Sequence, residues 1–273
     1  MSEASIPIRV PVGTVVRFAY RSVFGRLGLV LEIGWAPLLV LLAATIVPSL
    51  VFPARATASL LDVGPSDIGQ AIVVLLALTA FAVRWHQLLL IGDPRRLPPA
   101  AFFRGWLRFL AYIAAAYIAI GIVIGVAVTV AAKLVVGDAA LALAELAAIV
   151  IAILLALAIV RCGLIFPAAA CAAPLGVAAA WRLMRGNAWR LALASTLAAV
   201  PVMVVTAIAT ALIVAISLPS AAEETVTSPL SLVLLAGLLE TGADVCLVAL
   251  GASLLSAFYR ELVGPGAAAP SQR

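Results

Sequence analysis

Six stretches of this chain are each long and apolar enough to cross a bilayer, and that property constrains the fold more than any other. They run at about 29–52, 70–91, 107–132, 140–166, 191–218 and 229–259. A spanning helix needs roughly 20 apolar residues, and hydrocarbon offers the backbone no partner but itself, so each stretch is expected to be an α-helix. Composition agrees. Of the 273 residues 66% are hydrophobic and 11% charged, against about 45–50% and about 25% in soluble domains. The expected fold is all-α: a polytopic membrane protein with six transmembrane helices, forming a single membrane domain over 1–273. A cytoplasmic N-terminus (1–28) with an amphipathic helix leads into the six-helix bundle (29–262), and a disordered cytoplasmic tail (263–273) follows.

The basic residues orient the bundle. Lys133 is the only lysine among 17 basic residues, which together with abundant alanine is the composition of a GC-rich bacterial genome. Arg9, Arg17, Arg21 and Arg26 precede the first stretch. Arg84, Arg95, Arg96, Arg104 and Arg108 surround the second connection, and Arg161, Arg182, Arg185 and Arg190 the fourth. Arg260 and Arg273 follow the last, whereas only Arg55 and Lys133 fall on the opposite side. The positive-inside rule then places both termini in the cytoplasm of a bacterial inner membrane. The outer connections lean acidic, through Asp62, Asp67, Asp138, Glu223 and Glu224. Because the arginines flank apolar segments, the implied partner is anionic lipid headgroups on the cytoplasmic side, or a protein partner or second copy, and not nucleic acid. The four N-terminal arginines interrupt any signal-peptide core.

A pattern recurs on the cytoplasmic side. Val16, Ala19, Tyr20 and Val23 stand at offsets 0, +3, +4 and +7, with Arg17 and Arg21 beside them. Phe103, Trp106, Leu107 and Leu110 repeat the offsets, with Arg104 and Arg108. Val177, Ala180, Trp181 and Met184 do so again, with Arg182 at +5 but Ala178 at +1. Such spacing puts the apolar set on one helical face. Each copy suits an interfacial helix at headgroup level followed by a two-helix hairpin, which would make the chain three such units. The plainer reading makes each copy the basic lead-in turn of the next spanning helix.

Glu240 and Asp244 lie i, i+4 near the middle of the sixth stretch. Charged side chains at that depth cost roughly 2.5–3.5 kcal/mol each on insertion scales and face the bundle interior. They are either a cation or proton site or the structural partners of a buried arginine. Arg84 is the candidate partner. It sits about eight residues, roughly 12 Å, from the cytoplasmic end of the second helix, a depth that matches Asp244. An Arg84–Asp244 or Arg84–Glu240 contact is expected, against snorkelling of Arg84 to the headgroups. Lys133 and Glu145 are expected to pair across the outer connection, and Glu32 to meet Arg161 or Arg108. Gly121 and Gly125 form a GxxxG expected to permit close helix contact. Trp35, Trp85, Trp106, Trp181 and Trp189 fit an interfacial aromatic belt.

Several chemistries lack their residues. His86 is the only histidine, which leaves no HExxH zinc site and no histidine-pair phosphodiesterase centre. Cys162, Cys171 and Cys246 are odd in number, widely spaced and without a CxxC, as buried apolar cysteines are. Gly251-Ala252-Ser253 lacks the second glycine of a nucleophile elbow. No catalytic set, metal site or cofactor is expected.

The stretch Arg161-Cys162-Gly163-Leu164-Ile165-Phe166-Pro167, followed by Ala180-Trp181-Arg182-Leu183-Met184-Arg185-Gly186-Asn187-Ala188-Trp189-Arg190, resembles bacterial six-helix inner-membrane proteins, including free-standing members, akin to the membrane domain of glycerophosphoryl diester phosphodiesterases. There an arginine and a proline end helix 4, ahead of a Trp-x-x-Thr-Arg-Gly-Asn-x-Trp-Arg-like turn. Met184 here replaces the threonine. Arg84-Trp85-His86 and Ala19-Tyr20-Arg21 are similar to alphaproteobacterial members. The resemblance implies six helices with cytoplasmic termini. It does not imply phosphodiesterase activity, which in fused relatives belongs to a separate soluble barrel.

The expected function is therefore that of a non-enzymatic inner-membrane protein serving membrane homeostasis or acting as a scaffold or accessory subunit. It would engage anionic lipid or a protein partner through Arg17, Arg21, Arg104, Arg108, Arg161, Trp181, Arg182, Arg185, Gly186, Asn187 and Arg190. The alternative is a small secondary transporter or channel using Arg84, Glu240 and Asp244 at the midplane.

Overall fold

The computed structural model of the chain describes residues 9–51, 65–92, 98–134, 138–173, 175–217 and 230–264. Every regular element among them is helical: α1 (Val12–Phe24), α2 (Leu27–Val51), α3 (Pro65–Ile91), α4 (Pro99–Leu134), α5 (Asp138–Cys162), α6 (Ile165–Ala170), α7 (Val177–Leu183), α8 (Ala188–Ser217) and α9 (Leu230–Val263). Pro65 and Pro99 open α3 and α4 at the first helical position, where a missing N–H costs nothing. Five stretches are apolar and of spanning length: Leu27–Val47, Asp67–Ile91, Pro99–Val126, Ala188–Ile216 and Leu234–Val263. Among the described residues, Ile149–Cys162 of α5 is a further apolar but shorter stretch. The chain thus has the build of a helical, multi-pass membrane protein.

The helices depart from the sequence reading at several boundaries. α4 runs unbroken from Pro99, so the segment around 103–110 is the first turns of a long helix and not a separate interfacial one. Nothing between Arg104 and Leu110 interrupts the backbone hydrogen bonding. By contrast α1 is a helix of its own, closed by the turn at Gly25 and Arg26, and α7 is closed by the turn over Met184–Asn187. The fourth apolar stretch ends at Cys162, not 166, because the chain turns at Gly163 and Leu164 before α6. α9 continues to Val263, with Phe258 and Tyr259 buried. Among the described residues, a Cβ built at Gly121 or Gly125 would meet nothing within 4 Å. Arg55, Arg95, Arg96, Asp62, Glu223, Glu224, Ser228, Pro229 and the tail 265–273 lie outside the described residues, as do the side chains of Lys133, Asp138 and Glu145.

The chain divides into two compact units. One comprises Met1–Val15, His86–Leu193 and Leu255–Arg273. Its interior is built from Phe109 of α4, Leu164, Ile165 and the alanines of α6, Met184, and Phe258 and Tyr259 of α9. The other comprises Val16–Trp85 and Ala194–Leu254. Here Phe81 stacks on Trp85 at 5.9 Å between ring centroids. The Trp85 indole N–H donates to Ser253 Oγ at 2.9 Å, and that hydroxyl donates to Ala249 O at 2.7 Å. The Tyr20 hydroxyl donates to Ala198 O at 3.0 Å.

Candidate functional site

The arginine-bearing turn is built by three short interruptions of helix. α5 ends on Arg161 and Cys162, and the Arg161 guanidinium lies over the Trp181 ring of α7, 4.6 Å from its centroid. α7 closes when Met184 N–H bonds back to Ala180 O at 3.0 Å. The chain then reverses through Gly186, whose φ of +81° is a conformation that side-chain-bearing residues rarely adopt. Asn187 follows, and its carbonyl accepts the Leu191 N–H at 2.9 Å as α8 begins.

This turn holds the N-terminal segment. Asn187 Oδ1 accepts the Val10 N–H at 3.1 Å, and the Arg190 guanidinium donates to Val10 O at 3.0 Å. Both polar groups of one buried peptide residue are thus answered by two side chains three positions apart, a spacing that sets them on one face of the first turn of α8. Val10 is 0% exposed and Asn187 2%. The Arg190 guanidinium also lies over Trp189, at 5.1 Å. The Arg-Gly-Asn-x-Trp-Arg signature is therefore a clamp on the strand of chain that leads into α1. Asn187, read from sequence as a headgroup or partner contact, is spent inside the protein.

A second polar cluster lies at the end of α3. His86 Nδ1 and Ser256 Oγ are 2.8 Å apart, and the His86 ring tilts against Phe109, which in turn packs on Phe166. The Gln87 side-chain N–H donates to Ala170 O at 2.9 Å, while its Oε1 is buried without a partner. Gly105 lets α4 approach those α6 carbonyls: a Cβ there would sit 2.7 Å from Ala170 O. Burial pushes the Cys171 thiol up to about 12, so it stays protonated and inert. A serine–histidine hydrogen bond is the start of a hydrolytic pair. Here Ser256 is 0% and His86 1% exposed, so the pair is packed in the interior. The cluster is core.

The other expected site residues divide by exposure. Arg17 and Arg21 are exposed on α1, whose buried residues are Val15, Ala19, Ser22 and Val23. Arg104 and Arg108 are exposed on α4 beside exposed Phe103 and Leu107, while Gly105 and Phe109 face inward. Arg182 and Arg185 are exposed, as are Trp181 and Trp189. Arg161 and Arg190 are half-buried on their tryptophans. In the unit of Val16–Trp85 and Ala194–Leu254, Glu240 is exposed, Asp244 and Arg84 are half-buried, and Arg84 is engaged. No group of three or more His, Cys, Asp or Glu side chains among the described residues could hold a metal ion.

Val10, Gln87, Gly105, Thr241 and Ser256 were not singled out by sequence, and Ser253 was weighed there only as a nucleophile-elbow serine. Ser253 and Ser256 had one available signal, an i, i+3 pair of small hydroxyl residues in an apolar helix, which marks a packed helix face. Comparison with protein-family models, curated proteins and solved structures finds no match for this chain.

Proposed function

We propose that this chain is a six-span protein of the bacterial inner membrane that engages anionic lipid through its arginine-bearing cytoplasmic segments and carries no catalytic centre of its own. The supporting observation is how the arginines are used. Arg161 and Arg190 are committed to tryptophan faces and to Val10, whereas Arg104, Arg108, Arg182 and Arg185 are exposed among exposed Phe103, Leu107, Trp181 and Trp189. Arginine interleaved with exposed aromatic and aliphatic side chains suits a headgroup layer, where stems and rings reach hydrocarbon and guanidinium groups reach phosphate. Each such charge near an anionic surface is worth about 1 kcal/mol. The sequence resemblance to phosphodiesterase membrane domains fits a membrane-engaging part that leaves the chemistry to other chains.

The test is thermal stability in nanodiscs of neutral phosphatidylcholine against discs containing phosphatidylglycerol or cardiolipin. The wild type should melt higher in anionic lipid, and Arg104→Gln/Arg108→Gln and Arg182→Gln/Arg185→Gln should each lose part of that gain. Equal melting in both lipids would sink the reading and leave a protein partner as the ligand of these segments. The rival reading, a small secondary transporter or channel built on Arg84, Glu240 and Asp244, predicts ion or proton flux in liposomes that Asp244→Asn abolishes.

A further inference from the structure

Thr241 breaks the ordinary rule for buried polar groups. Its side chain is 3% exposed, and its Oγ1 is buried without a hydrogen-bond partner. A helical threonine commonly answers its hydroxyl on a carbonyl one turn back, as Thr45 does on Leu41 O at 3.0 Å and Thr129 on Gly125 O at 2.7 Å. Thr241 does not. The residues beside it on α9 are the two midspan carboxylates. With about 100° of rotation per residue, taking Glu240 as the origin puts Asp244 at about 40° and Thr241 at about 100°. Asp244 therefore lies between the other two in direction and one turn along. Exposure follows that order: Glu240 exposed, Asp244 half-buried, Thr241 buried. Three oxygen-bearing side chains form one patch running from the helix surface inward, with the unanswered hydroxyl at its inner edge.

The geometry points to a binding site for a small hard cation, with the Asp244 carboxylate and Thr241 Oγ1 as inner ligands and the Glu240 carboxylate on the outer side. Carboxylate and hydroxyl oxygens are the ligands such cations select. A cation would use the lone pairs that the Thr241 hydroxyl leaves idle, and would relieve the cost of holding two carboxylates one turn apart in an apolar helix. The proposal is of binding alone. It rests neither on lipid engagement nor on transport, and absence of flux in liposomes leaves it standing. The competing account is a latch in which Arg84 neutralises Asp244, and the two predict different salt behaviour.

Full-length protein in detergent is melted in choline, sodium, potassium and calcium chlorides at matched ionic strength. Sodium or calcium should raise the melting temperature saturably over choline, and the pair of titrations distinguishes a monovalent from a divalent ligand. Thr241→Val keeps the side chain's shape and should weaken the apparent affinity about tenfold, the ratio that 1.4 kcal/mol represents. Asp244→Asn should remove the response. If Asp244→Asn does not fold, Thr241→Val and Glu240→Gln carry the test. Equal melting in all four salts overturns the site, as does a cation response that survives all three substitutions. A wild type indifferent to cation, whose Asp244→Asn loss is the same in every salt and is restored by Arg84→Gln, is the latch and overturns it too.

Discussion

Asn187 and Arg190 show what the signature residues of this chain do physically. Each answers one backbone group of Val10, and a buried donor or acceptor left open costs about 1–3 kcal/mol. Asn187→Ala should therefore destabilise the folded protein by that amount, read as a lower melting temperature in detergent. Asn187→Asp keeps an acceptor for the Val10 N–H and should recover part of the loss. Cys171 gives a second test at this scale. With its thiol pushed up to about 12, the thiolate that alkylating reagents need is scarce at pH 8 and appears only as pH rises towards 12. Maleimide should leave Cys171 unmodified at pH 8 in folded protein and label it after denaturation, as peptide mass spectrometry can show. The clamp itself was illegible in sequence. Arg-Gly-Asn marks a turn by composition, but that its side chains seize a residue 177 positions away depends on a tertiary approach that no local pattern encodes.

Element boundaries were legible where hydropathy sets them and illegible where turns do. The apolar runs locate α2, α3, α8 and α9 because hydrocarbon selects for length and composition, the two things a sequence displays directly. The recurring offsets fall in α1 and α7, which are separate helices, and at 103–110, which opens a longer one, since the same offsets serve a free helix and the first turns of a longer one. What separates them is a break after the pattern: Gly25 and Arg26 after α1, Gly186 and Asn187 after α7, and no such break in α4. The contact between α5 and α7 gives a prediction at this scale. A guanidinium 4.6 Å above an indole is worth about 0.5–1 kcal/mol when exposed and about 2 when desolvated. A double-mutant cycle of Arg161→Gln and Trp181→Leu, scored by melting temperature, should return a coupling between those limits. A coupling of zero would make Arg161 a topology determinant that merely rests on the ring.

For the whole molecule, parity of the spans is the question on which orientation turns. Among the described residues five stretches reach spanning length, and an odd number of spans would put the two ends of the chain on opposite sides of the bilayer. α5 decides the matter. It runs 25 residues from Asp138 to Cys162, enough at about 1.5 Å per residue to cross a hydrocarbon core of about 30 Å, and it ends on Arg161 where the positive-inside rule wants an arginine. If α5 crosses, the arginines at 9–26, 84–108, 161–190 and 260–273 fall on one side, with only Arg55 and Lys133 on the other. If it did not cross, the segments before and after it would face the same outer compartment, and the arginine clusters at 161–190 and 260–273 would both have to be translocated. Charge bias therefore favours six spans over five. Reporter fusions to residue 1 and to residue 273 should both be cytoplasmic: fluorescent protein folds at either end, and alkaline phosphatase stays inactive at both. Alkaline phosphatase fused within 135–137 should be active. A phosphatase-active C-terminus together with an inactive N-terminus would mean that α5 stays on one side, and the arginines of the 161–190 turn would then face away from those of the N-terminus.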